Sequence, residues 1–242
     1  MSIHAGRRFW CHLTRALSVV LGGIVLLTIH VPPVRSMKID HHDHADSTVD
    51  SMIPHQRHDG PHMRWTTLRP PNADDARRAE QIVQALQQAL ARYNDYRVAM
   101  RDGFVPLHPD RTPTHYHFAN KERRFLAKLR FDPAEPTALL YKKSGEGYEL
   151  EGAMYTAPRG MTDDQLNERI PLSVAQWHAH VNLCLQPDGS RRRITRAQFG
   201  LKGTISTESE CQQAGGQFVP QAGGWMGHVY PFESTPEKIW TH

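Results

Sequence analysis

The spacing of apolar residues predicts that the folded part of the chain begins with a helix or a helix pair. Apolar side chains recur at helical intervals over residues 79–93, and Asn72 is a suitable cap for the amino-terminal end. Asn94-Asp95 either interrupts this helix or begins a second one, which Gly103 ends. The apolar positions form a packing face to which we assign no chemistry: Ala79, Ile82, Val83, Leu86, Ala89, Leu90 and Tyr93.

After Gly103 the pattern changes to that of strands and turns. Two apolar-rich runs, residues 138–141 and 148–155, flank Ser144-Gly145-Glu146-Gly147, which predicts a β-hairpin. Two pairs of residues have the spacing of a capping box and predict short helices: Thr162 with Gln165, and Thr207 with Glu210. The sequence therefore predicts an α+β fold, in which the N-terminal helix or helix pair packs on a mostly antiparallel sheet or sandwich.

The most regular alternation of apolar and polar residues lies between residues 175 and 185. One face is wholly apolar, and the other carries Gln176, His178, His180, Asn182 and Cys184. Side chains at i and i+2 of a strand point the same way and start roughly 7 Å apart. The imidazoles of His178 and His180 are therefore expected to converge on one metal ion, at bond lengths of about 2.0–2.1 Å.

Two further segments place histidines among aromatic residues. His115-Tyr116-His117 is a second His-x-His pair, and His228 follows Gly224-Trp225-Met226-Gly227. We expect one transition-metal site, built from His178 and His180 together with one or two of the other three histidines. Strand histidines that are solvated or hydrogen-bonded in the core are the alternative interpretation.

Other residues in these segments indicate hydrogen-bond partners for the ligating imidazoles and the identity of the metal. Asn182 and Glu151 are candidates to accept the second ring N–H of a ligating imidazole. Histidine suits both zinc and copper, and Met154 or Met226 would favour copper. The site is thus expected to hold Zn or Cu.

The same segments resemble a family of uncharacterised bacterial exported proteins. The resemblance covers most of the chain after about Thr66, and it is most specific in the Trp-His-x-His-Val-Asn segment and the downstream Gly-Trp-Met-x-His segment. It implies export, the extent of the folded domain, and a set of family histidines, but no activity. Those histidines are His117, His178, His180 and His228.

Residues 1–36 have the order of parts found in a signal peptide. Three arginines, Arg7, Arg8 and Arg15, precede an apolar stretch over residues 16–31, and Pro32-Pro33 and a short segment ending at Ser36 follow. The apolar stretch is shorter than the ~20 residues of a spanning helix, which favours cleavage over an uncleaved anchor. We expect a periplasmic or secreted protein, or an inner-membrane anchored one if the signal is retained.

Residues 37–64 are expected to be a disordered, histidine-rich linker. Aliphatic residues are too few there to offset the entropy of ordering the chain. The histidines predict a loose chelating tract, for which a polar spacer is the alternative. They are His41, His42, His44, His55, His58 and His62. A single α+β domain is predicted over residues 65–242.

The mature chain would keep two cysteines, Cys184 and Cys211. An even pair in an exported protein predicts a disulfide, which would stabilise the fold by roughly 3–4 kcal/mol. Two buried thiols or two metal ligands are the competing interpretations.

The charge gives no sign of nucleic-acid binding. The chain has 29 basic and 25 acidic side chains, and four of the basic ones lie in residues 1–36, so the remainder is balanced at 25 against 25. Such a chain has no overall field that attracts phosphate.

Three functions remain after sequence motifs for nucleotide binding and serine hydrolysis prove absent. The first is a periplasmic protein that binds copper or zinc through strand histidines. The second is a metal-dependent extracytoplasmic enzyme, a zinc hydrolase or copper oxidoreductase, with Glu151 and Tyr155 as candidate acid or base. The third is a module that binds a ligand or a protein partner without metal.

Overall fold

The structure is a computed structural model that describes residues 59–107, 115–186 and 198–241. The strands are β1 (Met63–Trp65), β2 (Phe104–Pro106), β3 (His115–Asn120), β4 (Ala138–Ser144), β5 (Gly147–Ala157), β6 (His178–Leu185) and β7 (Gln217–Val229). The helices are α1 (Asp75–Leu90), a 3-10 helix (Ala91–Asn94), α2 (Tyr96–Arg101), α3 (Lys121–Leu126), α4 (Asp163–Arg169), α5 (Glu208–Gln213) and α6 (Pro236–Ile239).

The predicted signal sequence and most of the histidine-rich tract lie outside the described residues. In the three described ranges, no helix combines the length and the apolar character needed to cross a membrane.

The strands form one seven-stranded sheet in the order β1-β6-β7-β5-β4-β3-β2. Every neighbouring pair is antiparallel. The α+β prediction is confirmed, and so is the hairpin, which β4 and β5 form around residues 144–147. Because β6 pairs with β1 and β7, the segment that carries two of the candidate histidines lies inside the sheet and not at its edge.

The N-terminal helices end and bend where the sequence predicts. The 3-10 helix separates α1 from α2, and Gly103 has a φ of 87°, a conformation in which glycine readily ends a helix. The cap differs from the prediction, because Asn72 Oδ1 accepts a hydrogen bond from the Asp74 amide before the helix begins. Asp75 is buried at the start of α1 and accepts a hydrogen bond from the Ser173 hydroxyl at 2.7 Å.

The two faces of the sheet are covered differently. The apolar stripe of α1 packs with the aromatic side chains of one face, where Trp177, just before β6, and Ala179 of β6 are fully buried. The opposite face carries a smaller cluster: Ala119, Ala138, Leu140, Met154 and Tyr230. β6 thus contributes Ala179 to the main core, whereas its Cys184 belongs to a separate cluster with Ile205 and Cys211.

The folded unit begins before the predicted boundary at residue 65. Met63 and Arg64 pair with β6, so the boundary lies within β1 and the linker prediction is wrong for these residues. His62, which the sequence analysis assigned to the chelating tract, is 4 % exposed. Its Nδ1 lies 3.0 Å from the Asn182 carbonyl oxygen and its Nε2 lies 2.9 Å from that of Gly203.

These contacts make His62 a structural residue. Both partners are carbonyl oxygens, which only accept hydrogen bonds, so the imidazole is the donor in these contacts. His62 thereby ties the segment before β1 to the segment around Gly203.

Replacement of His62 should destabilise the fold. We expect His62→Ala to lower the free energy of unfolding by about 1–3 kcal/mol, because a buried imidazole and its contacts with the Asn182 and Gly203 carbonyl groups are lost. Urea denaturation of the oxidised protein measures the change. Gln88→Ala, which truncates an exposed side chain on α1, is the control and should leave the transition unchanged. An unaltered midpoint for His62→Ala would contradict the structural role.

The predicted disulfide between Cys184 and Cys211 is confirmed by the geometry. The two Cα atoms lie 5.5 Å apart, within the usual range for a disulfide. The bridge joins β6 to α5 and forms the centre of a small cluster with Ile205.

Removal of the disulfide should lower stability by about 3–4 kcal/mol, because the bridge closes a loop with a sequence separation of 27. Denaturation of Cys184→Ala/Cys211→Ala, compared with the parent under oxidising and reducing conditions, tests this. The parent should lose stability on reduction, whereas the double variant should not respond to reductant.

Candidate metal centre

Four of the five candidate histidines come close together on one face of the sheet. His178 and His180 come from β6, His228 comes from β7, and His117 comes from β3. Residues that pair across strands share a face, and His228 pairs with Met154 of the second apolar cluster. All four histidine side chains are buried, with exposures between 0 and 5 %.

The four rings form a continuous series, which we call the imidazole row. The ring centroids of His117 and His228 are 5.5 Å apart, and those of His228 and His178 are 5.3 Å apart. His180 follows at 5.6 Å from His178. The three histidine-bearing segments that the sequence singled out therefore meet in space.

Two ring nitrogens of the row, from His117 and His228, lie close together. Two strands lie between β3 and β7, which separates the two backbones by about 14 Å in the plane of a sheet. The Nε2 atoms are nevertheless only 3.5 Å apart. Both rings therefore extend toward each other over the intervening strands.

This separation fits a long hydrogen bond between the rings and also fits two ligands of one ion. Hydrogen bonds from N–H groups are typically about 2.7–3.2 Å long between heavy atoms. Two nitrogens bound to one tetrahedral ion at 2.0–2.1 Å lie about 3.3–3.4 Å apart. The Nε2 separation of His117 and His228 is close to this value.

The rings of His178 and His180 lie 5.6 Å apart between centroids and are inclined by 51°, close to the 5.5 Å and 52° of His117 and His228. The β6–β7 register shifts between them, so that His178 pairs with Met226 and His180 pairs with Ala222. The additional residues of β7 at this irregularity form a local bulge opposite the two histidines. Their expected convergence on one metal ion stays a prediction.

A complete ligand set is not assembled. Among residues 59–107, 115–186 and 198–241, no group of three or more His, Cys, Asp or Glu side chains is positioned to hold a metal ion. The row provides one close pair, His117 and His228, with His178 as the neighbouring third imidazole.

His115, the fifth candidate histidine, contacts a residue outside the row. The same holds for Glu151 and Asn182, the predicted hydrogen-bond partners of the ligating imidazoles. His115 Nδ1 is 2.9 Å from Oε2 of Glu151. Asn182 has a φ of 56° and donates from Nδ2 to the Pro61 carbonyl oxygen, so it holds the segment before β1. Glu151 and Asn182 thus contact residues other than the four rings of the row.

Methionine and tryptophan side chains come from positions beside the row. Met226 is the cross-strand neighbour of His178 on one side and Trp65 is its neighbour on the other. The ring of Trp65 lies 5.2 Å from that of His178. The thioethers of Met226 and of Met154, the neighbour of His228, are soft donors near the imidazoles.

The candidate acid or base groups are not poised for proton transfer at the row. Tyr155 belongs to the main core on the opposite face, and its hydroxyl donates to the Pro133 carbonyl oxygen at 2.6 Å. Burial, with a smaller contribution from Asp132, raises the pKa of Tyr155 far above its usual value. Burial and the nearby Glu151 likewise raise the pKa of Tyr230, which belongs to the second cluster.

A cavity beside the row was missed by the sequence analysis. It has a volume of about 200 Å³, and His228 forms part of its wall. Two tryptophans line it as well: Trp65 of β1, at the predicted start of the folded domain, and Trp240 of the C-terminal segment. No local pattern indicates this cavity, because its walls come from segments at both ends of the folded unit.

Comparisons with protein-family models, with curated proteins and with solved structures found no match. The resemblance to exported bacterial proteins stays a prediction, and the functional interpretation depends on the residues of this chain.

The position of His228 depends on a close approach of backbone to Gly152. A Cβ atom at residue 152 would lie 2.4 Å from the Val229 carbonyl oxygen and 3.2 Å from the Tyr230 Cα. Gly152→Ala should therefore displace the end of β7, lower stability by about 1–3 kcal/mol and disturb the His117–His228 pair.

Gly160→Ala is the matched control, since a Cβ atom there meets nothing within 4 Å. Urea denaturation and the histidine ring signals in NMR spectra provide the measurements. Equal behaviour of the two alanine variants would show that the approach at Gly152 is not a constraint.

Proposed function

We propose that this protein is an exported transition-metal-binding protein that acts in copper or zinc handling through the imidazole row. The observation that carries the proposal is the 3.5 Å separation between Nε2 of His117 and Nε2 of His228. In this proposal these two residues are the primary ligands and His178 is the third. His180 lies one ring further along the row.

The surroundings of the row support metal binding over simple packing. All four imidazoles are buried and adjacent to one another on the face that carries the second apolar cluster. Histidine is the commonest metal ligand among side chains, so adjacent imidazoles from three strands suit a transition-metal ion. Because binding requires deprotonated rings, the affinity should fall as the pH is lowered.

The methionines beside the row distinguish copper from zinc as the preferred ion. Imidazole serves both ions, whereas thioether sulfur favours Cu(I). Met226 and Met154 are direct cross-strand neighbours of His178 and His228, respectively. The proposal therefore includes copper in the reduced state as the preferred ion.

A metal-dependent enzyme is the second candidate, and the cavity that adjoins His228 favours it. Metalloenzymes keep one coordination position open to water or substrate. A bound ion near this cavity would be accessible from it. The test is the absorption spectrum of the protein loaded with Co(II) or Cu(II), recorded with and without a small anion such as azide. A spectral change shows that azide replaces a metal-bound water at an open site, and an unchanged spectrum indicates a closed site.

The decisive measurement is the metal content of the full chain, purified without a tag and reconstituted with Cu(I) or Zn(II). We expect stoichiometric metal that survives dialysis. The double variant His117→Gln/His228→Gln should lose it, with a decrease in affinity greater than the roughly 10- to 100-fold typical for loss of an outer-shell partner.

Two controls separate the row from the other histidines. His115→Gln removes an imidazole that pairs with Glu151 and should leave the metal content unchanged. Replacement of His41, His42, His44, His55 and His58 by Asn removes the tract histidines and should abolish only weak binding. Circular dichroism confirms that each variant is folded. If the parent takes up neither ion, or if the double variant retains it, the proposal is wrong and a module without metal becomes the better interpretation.

A further inference from the structure

The cavity beside the imidazole row has the size of a small-molecule site. Its volume of about 200 Å³ exceeds the ~150 Å³ of an apolar cavity that accepts benzene. Segments from three parts of the chain line this open-sided cavity: Trp65, Leu68, Val174, Gln176, His228, Glu237, Trp240 and Thr241. This construction from distant segments distinguishes it from a groove between two neighbouring side chains.

The lining combines aromatic surface with a single formal negative charge. Trp65 and Trp240 provide two indoles, and Trp240 is itself buried. Glu237 is exposed, and no described residue of the lining is a lysine or an arginine. Hydrogen bonds from its own backbone amide and from Thr235 lower the pKa of Glu237, so it is a carboxylate at neutral pH.

These walls discriminate between classes of ligand by charge. An anion would meet the carboxylate of Glu237 and find no opposite charge in the lining. A neutral compound would gain only from contact with apolar surface. A cation gains from the carboxylate and also from the face of tryptophan, which is the best aromatic partner for cations.

We propose that this cavity binds a small organic ammonium compound, whose cationic group is recognised by Glu237 and by the indoles that line the cavity. Leu68 is 54 % exposed and Val174 is half-buried, so they offer apolar contact for the rest of the ligand. The proposal goes beyond metal binding and does not require it, because none of the residues that recognise the charge belongs to the imidazole row.

The test uses the metal-free full chain, with choline as the probe and 3,3-dimethylbutan-1-ol as its neutral isostere. Isothermal titration calorimetry should show saturable binding of choline. The neutral alcohol should bind at least about tenfold more weakly, because it lacks the attraction to Glu237 and to the indoles. Use of the metal-free protein makes the outcome independent of whether the imidazole row binds an ion.

Variants at the exposed part of the lining locate the site without altering the core. Glu237→Gln and Leu68→Lys should each weaken choline binding by about fivefold or more, since one removes the attractive charge and the other adds a repulsive one. Glu208→Gln on α5 is the matched control and should bind choline as the parent does. The proposal is overturned if choline does not bind saturably at millimolar concentration, if the neutral alcohol binds equally well, or if both variants bind choline like the control.

Discussion

The pairing of β7 with β5 on one side and β6 on the other determines the arrangement of both faces of the sheet. β7 is 13 residues long, and its register with β5 places His228 beside Met154 on the face opposite the helices. Its register with β6 places His178 beside Met226 on the same face. The main core, the imidazole row and the wall of the cavity all depend on these two registers, because a slip of one residue would move each side chain to the other face.

The features that could be predicted from the sequence are those with a short-range signature. The stripe from Ala79 to Tyr93, the hairpin at residues 144–147 and the capping box of Thr162 with Gln165 each depend on spacings of a few residues. The cysteine pair depended instead on the small number of cysteines and on the expectation of export. Of the five candidate histidines, four lie in one row, because alternation in strands indicated correctly which side chains share a face.

The features that were missed depend on contacts between distant segments. The sequence emphasised His178 with His180, but it did not predict that the Nε2 atoms of His117 and His228 approach within 3.5 Å across two intervening strands. β1 has only three residues and follows a polar, histidine-rich stretch, so it is too short for an alternation of apolar and polar residues to identify it. His62 lies in the same stretch as the tract histidines, and only its contacts with Asn182 and Gly203 distinguish it from them.

His228 belongs both to the close imidazole pair and to the wall of the cavity. Two ligands that meet at one side chain are thermodynamically linked, and the change that each makes in the binding free energy of the other is equal in size and sign. An ion held by His228 and an ammonium group in the cavity would both be positively charged, so this linkage would be antagonistic. The shared imidazole would then make release of one ligand a consequence of the arrival of the other, with no movement of the sheet.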